Sequence, residues 1–149
     1  MNAWDLLITW IGKKMIQKIF ICYITSLLGL LFIDGAWLFC TAKNLYMKQL
    51  SHLMSVNPIW LAAALFYIIY AYGITHFVVF PALEGCSGFR VVFLNGALLG
   101  FVAYATYDLT NHATLSSWPI IITLIDLIWG TCMTGLVSMI SYAITKATW

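Results

Sequence analysis

Four long apolar stretches dominate this sequence of 149 residues. Each has about 20 or more residues, the length that a helix needs to cross a hydrocarbon core of about 30 Å. Hydrophobic residues make up 63% of the chain and charged residues 8%, whereas soluble domains carry about 45–50% and about 25%. A soluble fold could not cover its surface with so few charges. We therefore predict an all-α fold, an antiparallel four-transmembrane-helix bundle with an N-terminal interfacial amphipathic helix.

Charged residues and prolines delimit the spans. Lys43 closes the first apolar stretch, Pro58 begins the second and Pro81 ends it, and Pro119 begins the fourth. The Glu84–Gly88 segment is predicted to be a tight turn. Such short loops make consecutive helices antiparallel neighbours. The predicted spans cover approximately residues 16–41, 58–80, 90–111 and 119–145.

Residues 1–15 have a helical periodicity of their own and precede the four-helix domain of residues 16–149. One face carries apolar side chains and the other polar ones, which is typical of a helix lying in the membrane interface. The alternative is a terminus with no role. The apolar positions are Trp4, Leu7, Ile8, Ile11 and Met15.

Basic residues predict the orientation, because cytoplasmic loops carry an excess of Lys and Arg. With a cytoplasmic N-terminus, that side of the membrane holds five basic residues, and Lys43 and Lys48 lie outside. We therefore expect both termini to be cytoplasmic. No basic patch suits a phosphate backbone, so no nucleic-acid partner is expected. The five are Lys13, Lys14, Lys18, Arg90 and Lys146.

Three of the five acidic residues, Asp34, Asp108 and Asp126, fall within predicted spans. A charged residue there costs at least about 2.5–3.5 kcal/mol and is by default a candidate functional residue. Asp34 and Asp126 each lie about 10 Å from the outer end of their span, and Asp108 about 27 Å from the inner flank at Arg90. All three acids are thus predicted to lie in the outer half of the membrane.

The neighbours of two acids indicate that both face other helices. Asp108 and Asp126 each belong to an i+4 row that contains small residues, and small residues let helices approach closely. The rows are Gly96, Gly100, Tyr104 and Asp108, and Asp126, Gly130, Thr134 and Ser138. The supporting polar shell that we assign is Asn95, Tyr104, Tyr107, Asn111 and Trp129.

No basic residue lies at the depth of the three acids. We therefore expect at least one acid to be protonated, or a proton or cation to be bound among Asp34, Asp108 and Asp126. The alternative is that the acids only tie the helices together. We interpret the aromatic run of the second span as packing or interface residues first and as ligand contacts second. This run is Phe66, Tyr67, Tyr70, Tyr72 and Phe77.

The segment Leu94–Asn111, followed by Asp126 and Trp129–Thr131, resembles a bacterial family of predicted membrane proteins catalogued as domain of unknown function 2177. With Asp34–Trp37, the resemblance spans about residues 18–146. It implies a four-helix protein of the bacterial inner membrane. It implies no activity, substrate or catalytic residue.

Three functions are compatible with these patterns. The first is a small ion-coupled or small-solute transporter that uses the intramembrane acids, with membrane lipids around it and a homodimer as a plausible working form. The second is a lipid-modifying enzyme with a cation bound by the acids, and the third is a structural or assembly protein. No known nucleophile motif, phosphate-binding loop or cofactor signature is present, and we expect no cofactor.

Overall fold

The computed structural model describes residues 3–55 and 57–148, and all regular structure within them is helical. Four helical segments are long and apolar enough to cross a membrane, which confirms the predicted all-α, four-span fold. The segments are Trp10–Thr41, Trp60–Glu84, Phe89–Thr114 and Ile120–Ala147.

The described residues form six α-helices and two π-helical turns, and all of them except α2 contribute to the four spans. The α-helices are α1 (Ala3–Trp37), α2 (Lys43–Leu50), α3 (Trp60–Ile74), α4 (Phe80–Glu84), α5 (Phe89–Thr114) and α6 (Ile120–Ala147). The π-helical turns are Leu38–Ala42, between α1 and α2, and Thr75–Val79, between α3 and α4.

The predicted N-terminal helix is the first part of α1, which continues from Ala3 to Trp37 without a break. Met1 and Asn2 lie outside the described residues. So do the side chains of Trp4, Leu7 and Ile8, on which the predicted apolar face depends. The location of this segment in the membrane interface stays a prediction.

The segment after the first span, which the sequence indicates only as a connection, contains helix α2. The π-helical turn Leu38–Ala42 carries the chain directly from α1 into α2. Tyr46 and Leu50 of α2 line a cavity together with Tyr107 of α5 and Asp126 of α6. Helix α2 therefore lies beside the ends of α5 and α6, and we call this side the α2 end of the bundle.

The second span does not end at Pro81, where the sequence places its boundary, but continues to Glu84. A proline lacks the backbone donor and its ring crowds the preceding turn, so it normally interrupts a helix. Here a π-helical turn precedes it, and the amide of Phe80 donates to the carbonyl of Thr75, five residues back. The wider turn admits Pro81 in the first turn of α4, a position where the missing donor costs little.

Close contact between α5 and α6 forms the tightest part of the bundle, and the two predicted rows of small residues face each other there. A Cβ on Gly96 would lie 2.9 Å from the carbonyl oxygen of Thr134, and one on Gly100 would lie 2.6 Å from its Oγ1. A Cβ on Gly130 would lie 2.6 Å from Cε2 of Tyr104. Only glycine permits this approach of the two backbones.

Polar contacts join the helices at the end opposite α2. Ser141 of α6 donates to the carbonyl of Cys22 at 3.1 Å, and its hydroxyl lies 2.7 Å from that of Thr25. Lys18 and Glu84 form an ion pair at 2.9 Å. The hydroxyl contacts therefore hold α1 against α6 at this end, and an exposed ion pair of small energetic effect links α1 to α4.

Replacing Gly100 by Ala should destabilise the bundle, because the new methyl group would overlap the carbonyl of Gly130. Overpacking of this kind costs about 1–3 kcal/mol, which should appear as a lower melting temperature in detergent.

Gly73→Ala is the matched control, since a Cβ there meets nothing within 4 Å. Equal melting temperatures for the two variants would contradict the proposed close contact of α5 and α6.

Candidate functional site

Asp34, on α1, is buried and held by two donors from other helices. The hydroxyl of Tyr67 donates to Oδ2 at 2.7 Å, and the indole Nε1–H of Trp129 donates to Oδ1 at 3.0 Å. The Trp129 ring also stacks on Trp37, with ring centroids 4.4 Å apart. Both oxygens of Asp34 therefore have partners, and the acid joins α1 to α3 and α6.

Asp126, on α6, is buried and connects the membrane-spanning bundle to α2. Tyr46 donates its hydroxyl to Oδ1 of Asp126 at 2.6 Å. Burial, and then the hydrogen bond to Asp126, raise the pKa of Tyr46 well above its usual range. Tyr46 thus keeps its proton and remains a hydrogen-bond donor.

Asp108, on α5, differs from the other two acids. Its side chain is fully buried, and neither carboxyl oxygen has a hydrogen-bond partner among the described residues. A buried polar group without a partner is costly and calls for an explanation, such as a bound ion or other ligand. Asp108 is therefore the acid with free capacity to bind a proton or a ligand.

A cavity of about 430 Å³ lies next to Asp108, between α3 and α5, and reaches α6. Its walls are mainly aromatic. A second cavity, of about 260 Å³, lies at the α2 end and shares Tyr107 and Asp126 with the first. Asp126 therefore lines both cavities. The first cavity is lined by Phe66, Tyr70, Ala103, Tyr104, Tyr107, Asp108 and Asp126.

The structure brings most of the assigned polar shell to this region. Trp129 binds Asp34, Tyr104 packs on Gly130 and lines the first cavity, and Tyr107 lines both cavities. Asn111, half-buried, lies one helical turn beyond Asp108 on α5.

Asn95 is not brought to the acids. It is exposed on α5, about 20 Å from Asp108 along the axis at about 1.5 Å per residue.

Two tyrosines that contact the acids were not among the predicted site residues. Tyr46 follows the first span in a segment with no helical signal strong enough to place it against α6. Tyr67 belongs to the aromatic run that the sequence indicates as packing or interface. Tyr70, three residues later, has its hydroxyl 2.8 Å from Oγ1 of Thr134. The i+3 spacing of Tyr67 and Tyr70 was the available signal that both face the bundle.

The three acids form one polar layer but do not form one metal site. Asp126 lines the same cavity as Asp108. Among residues 3–55 and 57–148, no group of three or more His, Cys, Asp or Glu side chains is arranged to hold a metal ion. The geometry therefore gives Asp34 and Asp126 separate partners, whereas Asp108, which lines the cavity, has none among the described residues.

Comparison with protein families identifies residues 19–143 as a match to DUF2177, described as a predicted membrane protein. The chain belongs to the DUF2177 family. The match confirms the resemblance of the segments around Asp34, Asp108 and Asp126, all of which lie within it. Neither the curated proteins nor the solved structures give a match.

Replacing Tyr67 by Phe should lower the stability of the protein, because one oxygen of the buried Asp34 loses its donor. The expected loss is about 1–3 kcal/mol, measured as the shift of the unfolding transition in detergent. Tyr72→Phe, at an exposed tyrosine of the same span, is the control.

In a protein that already carries Asp34→Asn, Tyr67→Phe should cost less stability, because the carboxylate that accepts the Tyr67 hydrogen bond is already replaced. Full additivity of the two substitutions would show that the Tyr67 hydroxyl acts elsewhere.

Proposed function

We propose that this membrane protein is a small carrier that couples the movement of a small solute or ion to protonation of Asp108, with Asp126 beside it. The observation that carries the proposal is the Asp108 carboxyl group, which is fully buried, has no hydrogen-bond partner among the described residues and lines a cavity. Ionisable residues inside membranes are costly and commonly mark proton or ion pathways.

Coupling follows from the cost of an isolated buried charge. An ionised carboxylate without a partner is unfavourable by several kcal/mol, so Asp108 requires either a proton or a positively charged occupant. The proton and the positively charged occupant compete for the carboxyl group of Asp108. A carrier that binds a cation at Asp108 would release a proton, and one that binds a proton would release the cation.

A cavity at the α2 end of the bundle gives access to Asp126. The cavity of about 260 Å³ reaches Asp126 beneath Tyr46 and Met54 at the α2 end. Towards the other end, the glycine contacts of α5 and α6 leave no room between these helices. The cavity at the α2 end therefore reaches Asp126, which also lines the cavity at Asp108.

The helix packing supports a route to a second conformation. α5 packs most closely on α6, α1 packs more closely on α6 than on α3, and α3 packs mainly on α1. The cavity at Asp108 lies at the seam between α3 and α5. Movement of α3 against the other three helices, a form of alternating access, would open the seam towards the opposite end, with the π-helical turn Thr75–Val79 as a candidate hinge.

The alternative of a lipid-modifying enzyme with a cation shared by the three acids has less support. It needs three carboxylates around one ion, whereas two of them, Asp34 and Asp126, are bound to tyrosine hydroxyls. An assembly role would not explain why the carboxyl group of Asp108 is buried without a hydrogen-bond partner among the described residues. We retain the carrier.

We further propose that the protein lies in the bacterial inner membrane, surrounded by lipids, with both termini cytoplasmic. The positive-inside rule then places α2 and the cavity mouth outside. Reporters fused after Glu84 and at Trp149 should be active in the cytoplasm. Those inserted in segments 43–57 and 112–117 should be active outside. The reversed pattern would contradict this orientation.

The carrier proposal is tested in inverted membrane vesicles that maintain a pH gradient, monitored by a pH-sensitive dye. A panel of inorganic cations, organic cations, amino acids and sugars is added in turn. We expect at least one solute to discharge the gradient in vesicles with the parent protein, and the response to fall at least tenfold with Asp108→Asn.

Glu84→Gln is the matched control, because Glu84 is an acid at the opposite end of the bundle whose exposed ion pair contributes little. It should retain the response of the parent. If no solute on the panel moves protons beyond the Asp108→Asn level, the carrier proposal fails.

A further inference from the structure

The cavity at Asp108 combines two acidic side chains with aromatic walls. Asp108 and Asp126 supply carboxyl groups, and Phe66, Tyr70, Tyr104 and Tyr107 supply rings. Phe66 and Tyr70 stack with their centroids 5.4 Å apart, and the Tyr70 hydroxyl lies 2.8 Å from Oγ1 of Thr134. The ring of Tyr70 is therefore held in a fixed position at the cavity.

We infer that this cavity binds an organic cation with a single positive charge and apolar or aromatic substituents. The inference deepens the proposed function, on which it rests, by naming the class of solute. The faces of aromatic rings attract cations within about 6 Å of the ring centroid, and a nearby carboxylate supplies the opposite charge. Such a ligand would satisfy the Asp108 oxygens, which have no partner among the described residues.

The size and chemistry of the cavity disfavour a bare metal cation. Hard cations such as Mg²⁺ and Ca²⁺ require about six or more oxygen ligands in a compact shell. This cavity, with a volume of about 430 Å³, is within the range of small-molecule sites of about 300–1,000 Å³. Its walls carry more ring and methyl surface than oxygen. An occupant with an apolar body fits these walls better than an ion.

The charge distribution also disfavours a phospholipid headgroup. None of the seven residues that line the cavity is basic, so the phosphate of a lipid amine would be buried beside Asp108 and Asp126 without a cationic partner. A free organic cation carries no such phosphate. Phe66 and Tyr107 are both partly exposed on the surface of the bundle, which allows an apolar cation to enter from the membrane side.

The inference is tested by isothermal titration calorimetry of the full-length protein in dodecyl maltoside, a detergent without charge. The probes are tetraphenylphosphonium and its neutral relative triphenylphosphine oxide. We expect tetraphenylphosphonium to bind at least tenfold more tightly. Because this comparison uses the parent protein, it does not depend on the folding of any variant.

Two variants then assign the site. Asp108→Asn should weaken the binding of tetraphenylphosphonium at least tenfold, and Phe66→Leu should weaken it about 2- to 30-fold, the range that corresponds to a cation–π contact. Glu84→Gln should bind like the parent. Equal binding of the charged and neutral probes, or unchanged binding with Asp108→Asn in a protein that melts like the parent, would overturn the inference.

A third arm separates a free cation from a lipid amine. Phosphatidylethanolamine added to the micelles should not displace tetraphenylphosphonium. Displacement that is lost with Asp108→Asn would identify the headgroup as the occupant and overturn the assignment to a free cation.

The two proposals can fail separately. Proton exchange with another class of solute, without binding of tetraphenylphosphonium, would refute the ligand class and leave the carrier in place. Binding without proton exchange for any solute would refute the carrier and leave the site.

Discussion

The contact between α5 and α6 is the constraint on which the rest of the bundle depends. In a membrane, helices gain little from hiding apolar surface from each other, so association relies on close packing and on polar contacts. Gly96, Gly100 and Gly130 permit backbone contact along the length of the two helices. This contact sets the rotation of both helices, and with it the directions of Asp108 and Asp126, which belong to the same rows.

Given that rotation, the three acids are satisfied in different ways. Asp34 accepts hydrogen bonds from Tyr67 and Trp129, and Asp126 accepts one from Tyr46, whereas Asp108 accepts none from the described residues. A carboxyl group in hydrocarbon is expensive unless it is paired or protonated. Two of the acids thus hold helices together, and the third remains available. The hydrogen bonds therefore give Asp34 and Asp126 a structural role, and the proposed function rests on Asp108.

The cavity exists because α3 and α5 do not pack closely at the level of the acids. Each of these helices has another principal neighbour, α1 for α3 and α6 for α5. The two π-helical turns lie on the α1 and α3 side of this seam, at Leu38–Ala42 and Thr75–Val79. One half of the bundle is thus regular and tightly packed, and the other contains irregular turns. This asymmetry is the physical basis for proposing that α3 moves against the other helices.

The sequence by itself determined the four spans, because hydrophobic length is a direct requirement of the bilayer. It also predicted that Asp108 and Asp126 point at a neighbouring helix and away from lipid, because both belong to an i+4 row that contains small residues, and both side chains are buried. Only the tertiary structure decided which donors reach which acid. Tyr46 lies 80 residues from Asp126 and Tyr67 lies 33 from Asp34, and no local pattern encodes a contact at such separation. The partner of a buried acid depends on how helices from distant parts of the chain pack together.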